Sequence, residues 1–158
     1  MWTDRTELLL GREGLARLQA SNVLIVGAGG VGGAAAEMLV RAGVGAITVI
    51  DNDTVSDTNR NRQILALCST LGKPKCEVLR ERLLDINPSL KLNTLAVYLL
   101  SDEVEDSAVP DEDSKRVSEA LADIHPDYVI DAIDTLGPKL SLIKYCVDHQ
   151  IPLEGLRS

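Results

Sequence analysis

Residues 23–63 read VLIVGAGGVGGAAAEMLVRAGVGAITVIDNDTVSDTNRNRQ. Four apolar residues, a glycine-rich turn, an alanine-rich stretch with helical spacing and a second apolar run follow one another in the order of a strand, a helix and a strand. The spacing predicts strands over 23–26 and 46–50 and a helix over 33–41, which together make one βαβ unit. Gly27, Gly29 and Gly32 satisfy the GxGxxG pattern between strand and helix. Glycine there permits a tight turn and lets backbone amides approach a phosphate at the positive end of the helix. Asp51 ends the second strand, where a carboxylate accepts hydrogen bonds from ribose hydroxyls. These features alone suit NAD, FAD or ATP equally.

The chain on either side repeats the alternation of short apolar runs and longer helical faces, the mark of a parallel sheet covered on both sides. A helix is expected from Pro74, with Val78, Leu79, Leu83 and Ile86 on its apolar face and Asn87-Pro88 as its stop. Residues 92–99 fit a third strand, 117–124 a helix, 128–132 a fourth strand and 151–153 a fifth. Another helix starts near Pro138, with Leu140, Ile143, Cys146 and Val147 on one side. Residues 6–18 carry two leucine groups separated by Gly11 and read as a bent or paired helical arm, which either covers the sheet edge or buries against a partner. The expected architecture is α/β: a doubly wound, mainly parallel, Rossmann-like sheet with helices on both faces, an N-terminal helical arm over 1–20 and a nucleotide-binding domain over 21–158. Its ligand crevice lies at the carboxyl ends of the strands.

Composition removes several function classes. A chain of 158 residues is long enough for one core, and with 3% aromatic residues and no Phe that core must be aliphatic. A net charge of −8 opposes a general nucleic-acid surface. Residues 101–116 carry five of the eight excess negative charges and read as a solvated acidic loop. Cys68, Cys76 and Cys146 form no CxxC pair, so neither a disulfide framework nor a zinc site is indicated, and none has an activating partner in sequence. His125 and His149 read as solvated. No apolar run is long enough to span a membrane, and the expected location is cytoplasmic.

The segment after Asp51 separates the nucleotide alternatives. Asn59, Asn61, Arg62 and Gln63 lie close behind it, and Lys75 follows Gly72-Lys73-Pro74. A triphosphate under attack needs cations to stabilise charge on the leaving pyrophosphate, and Arg62 and Lys75 meet that need. Asp134, at the end of the fourth strand, suits magnesium, which takes one or two carboxylates together with phosphate oxygens and water. Asp131 and Asp134 also suit a helix-capping role.

GAGGVGG, DNDTVSDTNRNRQ, GKPK and VIDAID together resemble the adenylation domain of the ubiquitin-activating-enzyme superfamily, whose bacterial branch comprises the HesA/MoeB/ThiF proteins. The resemblance covers nearly the whole chain. Within that branch, the segment IDAIDTLGPKLSLIKYC and the absence of zinc cysteines are most similar to the tRNA threonylcarbamoyladenosine dehydratases. The resemblance implies attack of a carboxylate on the α-phosphate of ATP, giving an acyl-adenylate and pyrophosphate. The carboxylate is either the threonylcarbamoyl group of a tRNA adenosine, leading to cyclisation, or the C-terminal glycine of a ubiquitin-like sulfur carrier. It implies Gly27, Gly29, Gly30 and Gly32 around the phosphates and Asp51 on the ribose. Asn59, Arg62, Gln63 and Lys75 would hold the triphosphate, and Asp134 the magnesium. It further implies a homodimer in which Arg5 reaches the other subunit's ATP. Relatives continue past the fifth strand, so the chain is expected to be truncated relative to them, with nucleotide binding more secure than turnover. The other classes to be tested are a catalytically silent nucleotide-binding or dimerisation module, which binds ATP without forming adenylate, and an NAD-dependent oxidoreductase.

Overall fold

The computed structural model describes residues 1–103 and 112–155. Helix α1 (Asp4–Ala20) is bent at Gly11, whose φ of 72° and ψ of 170° are not helical. The expected arm is therefore one kinked helix, made possible by a residue with no Cβ. Leu15 is buried on it, whereas Leu8, Leu9 and Leu10 are exposed.

Strand β1 (Asn22–Val26), helix α2 (Gly30–Ala42) and strand β2 (Ala46–Ile50) form the βαβ unit. They are followed by α3 (Lys75–Ile86), β3 (Lys91–Leu95), β4 (Tyr98–Leu100) and β5 (Ser114–Arg116). Helix α4 (Val117–Leu121), β6 (Tyr128–Asp131), α5 (Leu136–Asp148) and β7 (Leu153–Gly155) complete the described chain. Five strands pair in the order β3-β2-β1-β6-β7, all parallel, with Val23 opposite Ile47 on one side and Tyr128 on the other. Successive connections run outward in opposite directions from β1, so a crevice opens between the carboxyl ends of β1 and β6.

The pleat of β1 distributes its side chains between two cores. Val23 and Ile25 pack with Ala36 and Val40 of α2 and Val78, Leu79 and Leu83 of α3. Leu24 and Val26 pack on the other face with Val117, Ala120 and Leu121 of α4 and Leu142 and Cys146 of α5. Each fully buried aliphatic side chain stabilises the fold by about 1.5–3 kcal/mol. Helices on both faces of an all-parallel sheet are the architecture expected from the sequence.

Several boundaries differ from expectation. Helix α2 begins at Gly30 rather than at 33, because the glycine run itself forms its first turn: Gly33 N–H donates to Gly29 O at 3.0 Å. The expected strand 92–99 is two strands. β3 ends at Leu95, and the chain then leaves the main sheet so that β4 pairs in parallel with β5. Part of the expected acidic loop is thus a strand, and Asp102 caps α4 by accepting from the Ser118 N–H at 3.1 Å and hydroxyl at 2.7 Å. Glu105, Asp106 and Asp111 lie outside the described residues.

Helix α5 is rotated from its expected orientation. Cys146 is buried, but Leu140, Ile143 and Val147 are exposed, and Leu142 and Ser141 face inward instead. The inward Ser141 is satisfied there: its hydroxyl pairs with Ser101 Oγ at 3.1 Å and accepts the Asp102 N–H at 2.9 Å. A buried hydroxyl with partners avoids the desolvation cost that otherwise keeps serine outside.

Candidate functional site

At the crevice lies a cavity of about 830 Å³, whose wall is drawn from four separate parts of the chain. These are the glycine loop, the segment from Asp51 through Gln63 with Lys75 beyond it, Val97 with the start of β4, and the turn from β6 into α5. Gly27, Gly29, Gly30, Gly32, Asp51, Asn59, Arg62, Gln63, Lys75 and Asp134 all line it. Arg5 does not line this chain's cavity; it is exposed on α1.

The loop glycines divide by cause. Gly27 has a φ of 97°, and a Cβ there would stand 2.5 Å from Ala132 O. A Cβ on Gly32 would stand 1.8 Å from Gly27 O. Both positions are closed to any side chain by backbone. At Gly30 a Cβ would press on Arg62 O at 3.3 Å, and at Gly29 it would meet only Gln63 Nε2 at 3.7 Å. The protein itself does not require a glycine at 29; the missing side chain leaves room in the cavity. Helix α2 starts at this point with no side-chain cap and no acidic residue in its first turn. Its positive end is therefore available to an anion.

Asp51 ties the loop down. Its Oδ2 accepts the Ala28 N–H at 2.7 Å, and its Oδ1 accepts the Asp53 N–H at 2.8 Å. Burial raises its pKa above the usual carboxylate value, against the lowering effect of those two amides and of the nearby Lys75 charge. Each carboxylate oxygen retains a second lone pair for a ligand hydroxyl.

Lys75, the first residue of α3, is buried, and its ammonium reaches Asp53 Oδ2 at 2.8 Å. The backbone reinforces this placement, with Lys75 N–H donating to Asp53 O at 2.9 Å. Arg62 is exposed at the cavity, with Nη1 donating to Thr58 O at 2.9 Å and to Asn61 Oδ1 at 3.0 Å. Asn59 is buried and closes a 3₁₀ turn by accepting the Ser56 N–H at 3.0 Å. Gln63 is buried too, and its Oε1 is the one buried side-chain N or O atom without a hydrogen-bond partner among the described residues. A buried acceptor left unmet costs about 1–3 kcal/mol.

Asp134 stands exposed in the turn after β6. Its neighbour Asp131 points inward: it is 1% exposed and pairs with Lys139 Nζ at 2.6 Å. Among the described residues no group of three or more His, Cys, Asp or Glu is arranged to hold a metal. A single carboxylate at the cavity does fit magnesium carried in on phosphates. Cys76 and Cys146 have pKa values raised to about 11 by burial, which leaves them as inert thiols. Among the described residues no helix is long and apolar enough to cross a membrane.

Sequence reasoning missed two contributors. Asp53 lies inside the quoted DND, yet its partnership with Lys75 depends on the antiparallel bridge between Thr54 and Pro74. Val97, Tyr98 and Leu99 give the cavity an apolar wall that became available only because the third strand breaks there.

Residues 3–154 match the model of the ThiF family. The chain is 42% identical over 150 residues to the tRNA threonylcarbamoyladenosine dehydratase of Bacillus subtilis, an alignment covering 95% of this chain and 54% of that protein. It is 36% identical over 141 residues to the molybdopterin-synthase adenylyltransferase of Haemophilus influenzae, covering 89% and 52% respectively. The fold superimposes with a TM-score of 0.85 and 38% identity on the structure of Escherichia coli tRNA N6-threonylcarbamoyladenosine dehydratase in complex with ATP, covering 97% of this chain and 57% of that one. The chain spans about half the length of the curated relatives it matches. Matched by the family model over nearly its whole length, and sharing its fold with a relative solved with ATP, the chain belongs to the ThiF family.

Proposed function

We propose that the chain binds ATP with magnesium and activates a carboxylate as an acyl-adenylate, the carboxylate being the threonylcarbamoyl group of a tRNA adenosine. The observation that carries this reading is the meeting of the glycine loop with Arg62, Gln63 and Lys75 in one cavity. A carboxylate oxygen attacks the α-phosphorus, forming an acyl–O–P bond. The bond from that phosphorus to the bridging oxygen breaks, and its electron pair leaves with pyrophosphate. The amino end of α2 and the glycine amides hold the phosphates, and Asp51 accepts from the ribose. Asn59 and Gln63 hold the triphosphate with Arg62 and Lys75, whose charges offset what develops on the pyrophosphate. Asp134 is the residue to hold magnesium, which when bound neutralises phosphate charge. Arg5 is assigned to the ATP of a second subunit in a homodimer, and the protein to the cytoplasm.

The choice of carboxylate rests on the greater identity to the dehydratase, 42% against 36% for the adenylyltransferase. The test is exchange of labelled pyrophosphate into ATP, with threonylcarbamoyladenosine-bearing tRNA or a sulfur carrier ending in glycine, alongside calorimetry with ATP–magnesium and with NAD. Exchange dependent on the tRNA is expected, and Lys75→Met should lower it about 100-fold. Dependence on the carrier protein instead would move the substrate to the other branch. ATP binding with no exchange would leave a silent nucleotide module, and preference for NAD would overturn the reading.

A further inference from the structure

The carboxylate of Asp131 connects two elements that no hydrogen bond along the backbone would connect. It ends β6, and its Oδ1 accepts the Ile133 N–H at 3.0 Å, folding the chain back immediately after the strand. Its Oδ2 accepts from Lys139 Nζ at 2.6 Å, one turn into α5. Asp134 and Thr135, which both line the cavity, lie between these two anchors. Ala132 is fixed from the other side: its N–H donates to Val26 O at 2.9 Å, and its own carbonyl faces the space a Gly27 Cβ would fill.

Burying this pair is a poor way to gain stability. Asp131 is 1% exposed and Lys139 26%, so both ions lose hydration, and a well-packed apolar pair of the same volume would stabilise the fold as well or better. A charge pair does fix direction, which an apolar pair does not. We infer that Asp131 and Lys139 are positioning residues: their ion pair sets the turn that holds Asp134 in the cavity wall, and so sets how the protein receives the magnesium of the bound nucleotide. The inference rests on the ATP–magnesium reading above. Neither residue lines the cavity; both act through Asp134.

The test measures ATP affinity calorimetrically with magnesium and with a chelator, in the wild-type chain and in Lys139→Met, which keeps the stem and removes the charge. Lys139→Met should weaken ATP–magnesium binding about tenfold or more while changing chelated ATP binding by less than about threefold. Lys139→Arg should restore the magnesium-dependent part. Equal affinities for wild type and a folded Lys139→Met overturn the inference, as do equal losses with and without magnesium. If Lys139→Met does not fold, Asp131→Glu replaces it, with the charge kept and the arm lengthened; the same split is expected, and its absence overturns the inference. A wild-type chain that does not bind ATP at all overturns the functional reading instead.

Discussion

The glycine wall and the polar wall of the cavity are held in place by different forces. The glycine wall is set by steric exclusion: Gly27 and Gly32 lie against backbone oxygens, and nothing larger than hydrogen fits. The polar wall is set by hydrogen bonds, with Lys75 on Asp53, Arg62 on Thr58 and Asn61, and Asn59 on Ser56. A steric wall is either intact or broken. A hydrogen-bonded wall can lose one member and keep its shape, so its side chains are available to a ligand that offers better partners.

The largest effect should come from breaking the steric wall. Gly32→Ala forces a Cβ to 1.8 Å from Gly27 O, an overlap that neither the strand nor the helix can relieve. The expected cost exceeds about 4 kcal/mol, read as loss of a cooperative thermal transition. Gly29→Ala, three residues away, sharpens the point. Its Cβ meets only Gln63 Nε2 at 3.7 Å, so unfolding free energy should change by less than about 1 kcal/mol while ATP affinity falls about tenfold or more. If both variants fail in the same way, the loop has one function rather than two.

How much of this was legible in the sequence follows the same division. Steric requirements are local and recur in composition, so the run from residue 23 to 51 was legible as β1, α2 and β2, with both strands within one residue and the start of α2 three residues late, and the glycines announced the turn. The ten residues read as nucleotide ligands do meet in one cavity: the glycines, Asp51 and Asp134 follow strand ends that a parallel sheet gathers at one edge, and the loop after β2 folds back to bring Asn59, Arg62, Gln63 and Lys75 there. The break at Ala96 and Val97 was illegible because it depends on pairing with β5, whose residues lie sixteen positions beyond their β4 partners. The rotation of α5 was misread for a related reason. Helical periodicity puts Leu140, Ile143 and Val147 beside Cys146, but the helix packs on the sheet through Leu142 and Cys146, which also turns Ser141 inward onto Ser101. Lys139 as the partner of Asp131 was invisible for the same cause.

A control outside both walls is provided by Glu37 of α2. It is 5% exposed and shared between Arg41 at 2.9 Å and Arg82 of α3. The Arg82 hydrogen bond is the main cause that holds its pKa below the usual 4.5, against burial, which raises it. A depressed folded pKa means that its contribution is present above pH 4.5 and is lost as pH falls through the lower folded value. Glu37→Gln should therefore cost about 1.5–3 kcal/mol at neutral pH and progressively less on acidification. Chemical denaturation across that range measures it. ATP affinity should be unchanged, which distinguishes a loss of stability from a loss of either wall.

The smallest effect belongs to Gln63, whose Oε1 is the one buried side-chain acceptor without a partner among the described residues. Gln63→Met removes a buried acceptor that has no partner, so stability should hold or rise by up to about 1 kcal/mol, while ATP binding weakens by roughly tenfold. The direction of the ligand contact can be tested as well. A triphosphate offers only acceptors, so for Gln63 to hold it the carboxamide must donate through Nε2, the atom that a Gly29 Cβ would meet at 3.7 Å. Gln63→Glu separates the two orientations. If the side chain donates to phosphate, the added negative charge weakens ATP far more than AMP. If Oε1 accepts from a ribose hydroxyl or the adenine amine, Gln63→Glu keeps the acceptor and binds both nucleotides nearly as well as wild type. The polar wall would then serve the nucleoside at Gln63 and the phosphates only at Arg62 and Lys75.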